Sequence, residues 1–422
     1  MPKKSDGGEF APLPSTRRLR RLVTFGFALT IVASRNPIVA RSRTPHTVPV
    51  HRIVLHRGSE PVFQSARAPY TFVFPRDHAA HANYRSEWWY YTGHVRAKDG
   101  RKFGYELTFF RIGMHPGDPR PQATQSRWRG NELYSAHFAI TDERGGTFLY
   151  VDRFAREAVG MGRASETSLN VKADRWTLVG APLHQRDRER MRLRAASATS
   201  LGTMGGVAPR DVTNAIDFLQ VPEKPPAIHG HGGVSRKAAC AGCTSHYYSY
   251  TRLRTTGTLM FAGVRFSVTG ISWMDHEFGS GELDRDQAGW DWFSIQLDDG
   301  REIMLYRLRQ KAGGVTPQSS GSLVERDGSV RYLPLDAFHI SATGSWKSPH
   351  TGATYPSGWS VSVPSAKLNL MLAPTVLDQE LANTAGGISY WEGAVAVNDA
   401  SHGLPRGVGY VELTGYAGAV SL

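Results

Sequence analysis

Three absences bound what this 422-residue chain can be. Cysteine is nearly missing: Cys240 and Cys243 are the only two, so neither a multi-bridge disulfide scaffold nor a four-thiolate zinc site can be assembled. No apolar run approaches the roughly 20 residues of a membrane-spanning helix. The longest, Leu22 to Ala33, follows the basic cluster "STRRLRRL" and breaks at Ser34-Arg35-Asn36-Pro37. A basic region, an apolar core of about 12 residues and a polar break are the pattern of a signal peptide, so the protein is expected to be periplasmic or secreted. Helical periodicity is almost absent as well.

Familiar catalytic signatures are also missing. No G-x-S-x-G elbow, phosphate-cradling G-x-x-x-x-G-K-[ST] loop or H-E-x-x-H pair occurs, which removes the commonest routes to esterase, nucleotide-hydrolase and zinc-protease chemistry. The formal charge is +13, but six basic residues against two acidic ones lie in positions 1–33. The remainder is spread thinly, with no basic stripe of the kind that tracks a phosphate backbone. Nucleic acid is not an expected partner, and no cofactor or metal is expected. Cys240-x-x-Cys243 reads as a local disulfide or thiol pair; a zinc site that adds His246, together with His229 or His231, is the sharper alternative.

What remains is β-structure. Short alternating or aromatic runs such as "GRKFGYELTFFRIG", "GTLMFAGVRFSVTGISW" and "GVGYVELTGY" are punctuated by Gly, Pro and Asp-Gly, which is the pattern of an all-β sandwich or barrel. An internal echo stands out. "EWWYYTGHVRAKDGRKFGYELTFFR" and "GWDWFSIQLDDGREIMLYRLR" each run aromatic strand, Asp-Gly-Arg turn, apolar strand. Asp-Gly between alternating strands signals a hairpin, and its recurrence suggests two related β-domains in tandem. The expected division is a leader over 1–45, an N-terminal domain over 46–250 with a linker-like stretch at 221–243, and a C-terminal domain over 251–422.

The stretch "ISWMDHEFGS" places Asp275, His276 and Glu277 between large apolar residues. Alternate residues of a strand share a face, so Trp273, Asp275 and Glu277 point one way while Met274, His276 and Phe278 point the other. Buried ionisable groups are costly unless paired or used. Asp291, in "GWDWFSIQL", shares a face with Phe293, Ile295 and Leu297, where burial would keep it protonated as a general acid needs; pairing with Arg307 is the structural alternative. Glu87, Trp89 and Tyr91 form the comparable face in the first domain. His137 sits opposite Phe138 and Ile140. For each of these a satisfied structural group competes with a functional one.

"FPRDHAAHANYRSEWWYYTGHV", "YSAHFAITD", "SHYYSYTRL", "SWMDHEFGS", "GWDWFSIQLDDGREIMLYRLR" and "YWEGAVAV…GYVELTGY" together resemble the carotenoid 1,2-hydratase superfamily, and within it the exported AttH-like branch whose members carry the label of secreted hydrolases. The resemblance runs from about Phe74 to Tyr416 and implies two tandem lipocalin-like β-barrel domains. It also implies chemistry: an acid protonates a terminal alkene of an acyclic carotene, aromatic faces stabilise the carbocation, and water adds without a cofactor. On this analogy Asp275 or Asp291 is the proton donor and His276 sets or relays protonation. Trp273, Trp290 and Trp292 shield the cation, with Tyr248, Glu277, Glu87, Trp89 and His137 lining the site. The ligand is then a hydrophobic carotenoid or lipid-like molecule. Two other readings stay open: a carrier or transporter-associated binding protein at the membrane, and a secreted hydrolase, for which no nucleophile–base pair can be named.

Overall fold

The computed structural model describes residues 62–116, 130–181, 189–200, 211–281, 283–384 and 386–418. The expected leader lies outside them. Among the described residues every element of length is a strand, and helix is confined to four single 3-10 turns. None of the described helices is long and apolar enough to cross a membrane.

Thirteen strands form one antiparallel sheet. Its main path runs Thr147–Arg156, Glu132–Asp142, Lys102–Gly113, Ser86–Ala97, Val264–Gly279, Thr244–Phe261, Asp211–Pro222, Arg190–Ser200, Trp176–Ala181, Asn170–Ala173 and Gly162–Ala164. The two ends come together into a nearly closed barrel: a methyl group on Gly162 would stand 2.5 Å from the ring of Tyr134, two strands apart across the gap. A second sheet of ten strands curls into a half-barrel. Its path runs Val330–Pro334, Ser320–Val324, Glu302–Gln310, Gln287–Leu297, Pro405–Thr414, Tyr390–Asp399, Leu368–Pro374, Trp359–Val363 and His339–Ala342. The all-β, lipocalin-like reading is what the chain adopts.

The echoed hairpins occupy equivalent places. Strands 86–97 and 102–113 open the first sheet, 287–297 and 302–310 open the second, and each leading strand then pairs with the last strand of its own sheet. In both turns the Asp side chain accepts from the backbone N–H two residues on, Asp99 from Arg101 at 3.0 Å and Asp299 from Arg301 at 3.1 Å. Glycine follows at φ +89° and +82°, a region L-residues with a Cβ avoid.

Position 250, the expected domain boundary, falls inside strand 244–261, and strand 264–279 also belongs to the first sheet. The chain passes to the second sheet only between 279 and 287. The stretch 221–243 is correspondingly a connection within the first sheet, from strand 211–222 to strand 244–261, carrying two short strands that pair with the latter. A barrel closes by bringing late strands back against the first, so its sequence limit lies beyond its most loop-like segment.

Three apolar clusters result. Trp89, Tyr91, Phe109, Tyr248 and Met274 belong to the one that fills the first barrel. Phe293, Ile295, Trp359 and Val411 belong to the one inside the half-barrel. The third lies where the sheets pack back to back and holds Tyr90, Tyr247, Trp273, Trp292, Tyr306 and Tyr410. Consecutive residues such as Trp89 and Tyr90 thus enter different cores, as a period of two requires.

Candidate functional site

The third cluster is incompletely filled. A cavity of about 110 Å³ opens between the sheets, walled by Trp88, Tyr90, Phe110, Tyr247, Trp290 and Trp292, with Asp275, Glu277, Lys237 and Glu412 set among them. A neighbouring compartment of about 120 Å³ shares Trp88, Phe110, Trp290 and Glu412 and extends to His137 and Tyr390. Mostly apolar walls with a few converging polar groups are how small ligands are held.

Strand register builds the polar wall. Asp275 lies between Tyr90 on one side and Ser249 on the other, and Glu277 between Trp88 and Tyr247. Asp275 Oδ1 accepts from Nε1–H of Trp273 at 2.6 Å and from the Ser249 hydroxyl. Its Oδ2 accepts from the Tyr247 hydroxyl at 2.7 Å, and the Tyr247 oxygen in turn accepts from Nε1–H of Trp292 at 3.0 Å. Burial pushes the Asp275 carboxyl up to about 7, against the opposing pull of its three donors. Glu277 is held by Lys237 at 2.6 Å and by the Ser245 hydroxyl. Lys237 Nζ also lies over the rings of Tyr247 and Tyr306, 5.2 and 4.9 Å from their centroids. Glu412 enters from the second sheet and accepts from Nε1–H of Trp290 at 3.1 Å; burial raises its pKa to about 8.

His276 faces the other way, into the first barrel, between Trp89 and Tyr248. Its Nε2 bonds Glu87 at 2.8 Å and its Nδ1 the Tyr248 hydroxyl at 3.0 Å. Burial lowers its pKa to about 4, so the ring is neutral at pH 7. Glu87 is fully buried, and burial alone would raise its pKa; the charges of His81 and Arg111 with bonds from His276 and His81 hold it well below the ordinary value. Tyr248 continues to His78 at 2.6 Å, and His78 to Glu189 at 2.6 Å.

A family model described as AttH-like matches residues 65–416. The chain belongs to the AttH-like family. A solved AttH structure from Nitrosomonas europaea is 30% identical, with a TM-score of 0.71 over 84% of this chain and 99% of that one. Kievitone hydratase from Nectria haematococca shares the fold at 13% identity, with a TM-score of 0.57 over 85% of this chain and 97% of its own. No curated protein sequence matches the chain.

In this AttH-like chain the residues singled out from sequence separate by face. Asp275, Glu277, Trp290 and Trp292 meet at the inter-sheet cavity, with Trp273 behind Asp275. His137 reaches the second compartment, its Nδ1 2.7 Å from the Tyr390 hydroxyl, and burial lowers its pKa to about 4. Glu87, Trp89, Tyr248 and His276 line the packed interior of the first barrel, although Glu87 also touches the edge of the second compartment. A strand that points Asp275 outward must point His276 inward, so the imidazole cannot hand a proton across to Asp275.

Asp291 is placed elsewhere. It faces the half-barrel interior, as its parity with Phe293 requires, and is wholly buried. Arg307 Nη2 and Arg309 Nε donate to its two oxygens at 2.8 Å each, and the Tyr416 hydroxyl adds a bond at 2.9 Å. Two guanidiniums and a phenol occupy both of its oxygens inside a packed half-barrel, leaving neither turned to a cavity where a proton donor would have to act. The structural alternative holds for this residue.

Cys240 and Cys243 form a disulfide. His246 bonds the Gly233 carbonyl at 2.9 Å and lies 3.2 Å from the Tyr84 hydroxyl, while His229 lies between Ser322 and Ser249; the thiol–imidazole zinc alternative is therefore not built. His81, Glu87 and His276 place three ligand-type atoms within 4.8 Å of one another. Both rings already bond Glu87 Oε1 and Arg111 holds Oε2, a charge balance that disfavours an added cation.

Residues not singled out complete the seam. Tyr90 donates to Glu392 at 2.7 Å across the sheets, and Tyr390 reciprocally donates to Glu106 at 3.0 Å. Glu106 Oε2 and Glu392 Oε2 are buried with no hydrogen-bond partner among the described residues. Burial raises both pKa values, that of Glu106 to about 7 and that of Glu392 well above the ordinary carboxyl value. The available signal was an acid inside an apolar run, as in "YWEGAVAV" and "YVELTGY".

Proposed function

We propose that the inter-sheet cavity takes the end of an apolar, isoprenoid-like ligand and that its buried carboxyls carry out hydration by acid–base transfer to an alkene. The observation that carries this reading is Asp275: a carboxyl raised to about 7 in a cavity walled by tryptophan and tyrosine. A group titrating near the working pH exchanges protons efficiently. The ring faces of Trp88, Trp290 and Trp292 offer electron density to a carbocation, an interaction worth about 2 kcal/mol per desolvated ring. Each compartment is smaller than the roughly 300–1,000 Å³ of pockets that enclose a whole ligand, so a chain end enters while the rest lies outside. The likeness to kievitone hydratase speaks for the fold; the chemistry rests on the residues.

Incubating the protein with an acyclic carotene and following a one-water mass gain tests it. Gain by wild type that falls about 10²-fold or more in Asp275→Asn supports the proposal. Equal gain from both proteins contradicts it, and ligand retention without any gain leaves a carrier. Export belongs to the same proposal: the basic-then-apolar leader and the Cys240–Cys243 disulfide both suit an oxidising compartment.

A further inference from the structure

Hydration needs two proton movements, one onto carbon and one off the attacking water. Asp275 is poorly placed for the first: Ser249, Trp273 and Tyr247 all donate to it, and both of its oxygens are engaged. Glu412 differs. Trp290 engages Oε2, and Oε1 has no hydrogen-bond partner among the described residues. Glu412 borders both compartments, whereas Asp275 and Tyr247 border only the first. Among the described residues it is also the one carboxylate of the second sheet on the cavity wall.

Resting on the hydration reading above, we propose that Glu412 is the catalytic acid that protonates the alkene, and that the Tyr247–Asp275 pair is the base that takes the proton from water. The step balances. The Glu412 O–H bond breaks as a C–H bond forms at the alkene, leaving a carbocation and a Glu412 carboxylate. Water adds to the cation; its proton passes to the Tyr247 oxygen while the Tyr247 proton moves to Asp275. The product is the alcohol, with Glu412 ionised and Asp275 protonated, and proton exchange with solvent restores both. Tyr247 is suited to passing a proton on and not to keeping a charge, because burial and the neighbouring acids raise its own pKa well above the ordinary phenol value. Since Asp275 comes from one sheet and Glu412 from the other, the site exists only where the two pack together.

A carbodiimide reads out the free acid without any substrate. Dicyclohexylcarbodiimide reacts with a protonated carboxyl in an apolar site. The carboxyl proton goes to a carbodiimide nitrogen, the oxygen bonds to the central carbon, and an oxygen-to-nitrogen acyl shift leaves a stable adduct with no leaving group. The full chain would be treated between pH 6 and 9 and mapped by peptide mass spectrometry, with retinol binding followed in parallel by tryptophan quenching. The expected result is an adduct on Glu412 that Asp275→Asn retains, that retinol suppresses, and that exceeds any on Asp275 by about tenfold or more. Its rate falls as pH rises through about 8. An adduct on Asp275 with Glu412 unmodified, or retinol binding with neither acid modified, overturns the assignment to Glu412 and leaves the cavity reading standing. Failure of both retinol and reagent to enter overturns the two together.

Discussion

Replacing Asp291 by Asn separates structure from chemistry at a residue whose sequence context admits both. The substitution keeps the shape and removes the charge that Arg307 and Arg309 share. Stripping one partner from a fully buried ion pair costs about 3–5 kcal/mol. Here the two guanidiniums are 20% and 18% exposed. Each also keeps other contacts: Arg307 donates to the Ile340 carbonyl at 3.0 Å, and Arg309 lies 3.7 Å over the Tyr416 ring and donates to the Thr414 carbonyl. Water and these contacts bring the expected loss to about 2–3 kcal/mol. With an unfolding entropy of about 2 cal/mol/K per residue, a body of this size loses about 3–4 °C in Tm. Circular dichroism melts give the shift, and retinol quenching shows whether the cavity is intact. The expected variant melts earlier and binds retinol with unchanged affinity. An unchanged Tm together with lost binding or lost hydration would refute the structural assignment and return Asp291 to the site.

Other outcomes follow from the seam between the sheets. Glu106, Glu392, Glu412 and Asp275 all have folded pKa values above their ordinary ones, while His137, His229 and His276 lie below theirs and offset the acids up to about pH 6.5, so the folded chain holds more protons than the unfolded chain between about pH 6.5 and 8. Stability therefore falls as pH rises across that window, with Tyr90, Tyr247, Tyr390, Tyr410, Glu277, Lys237 and His137 the other titratable groups facing these acids among the described residues. Glu87 and Glu189, shifted downward, act below it. Melts from about pH 6.5 to 9 should show a declining Tm, and Glu392→Gln should flatten the slope; a rising Tm over that range, or an unaltered slope in the variant, contradicts the assignment. Trp290→Ala removes a shared wall of both compartments and the donor to Glu412, so retinol binding should weaken about tenfold or more, and unaltered affinity would place the ligand elsewhere.

Strand parity was the most informative feature of the sequence. It placed Asp275 and His276 on opposite faces and grouped Glu87 with Trp89 and Tyr91, because alternation is a property of the backbone that tertiary packing does not change. Parity does not say which face meets what. Asp275 looks into an inter-sheet cavity and Asp291 into the half-barrel, a difference set by which sheet lies behind each strand. The boundary at 250 failed for a related reason: strands 244–261 and 264–279 look like the start of a second domain in chain order, yet they close the first barrel against strand 86–97. Glu106, Glu392 and Glu412 each stand as an acid inside an apolar run, which signals burial but not what the acid meets. Only the packing of two sheets brings them together, and no local pattern encodes that.

The proposed ligand site lies between the sheets and not within the first barrel, whose interior is packed with Trp89, Tyr91, Tyr248 and Met274. A short apolar diazirine, photolysed on the full chain and mapped by peptide mass spectrometry, tests this most directly. Labels on Trp88, Trp290 or Trp292 that retinol suppresses are the expected result. Labels confined to Trp89, Tyr91, Tyr248 or Met274 would contradict it.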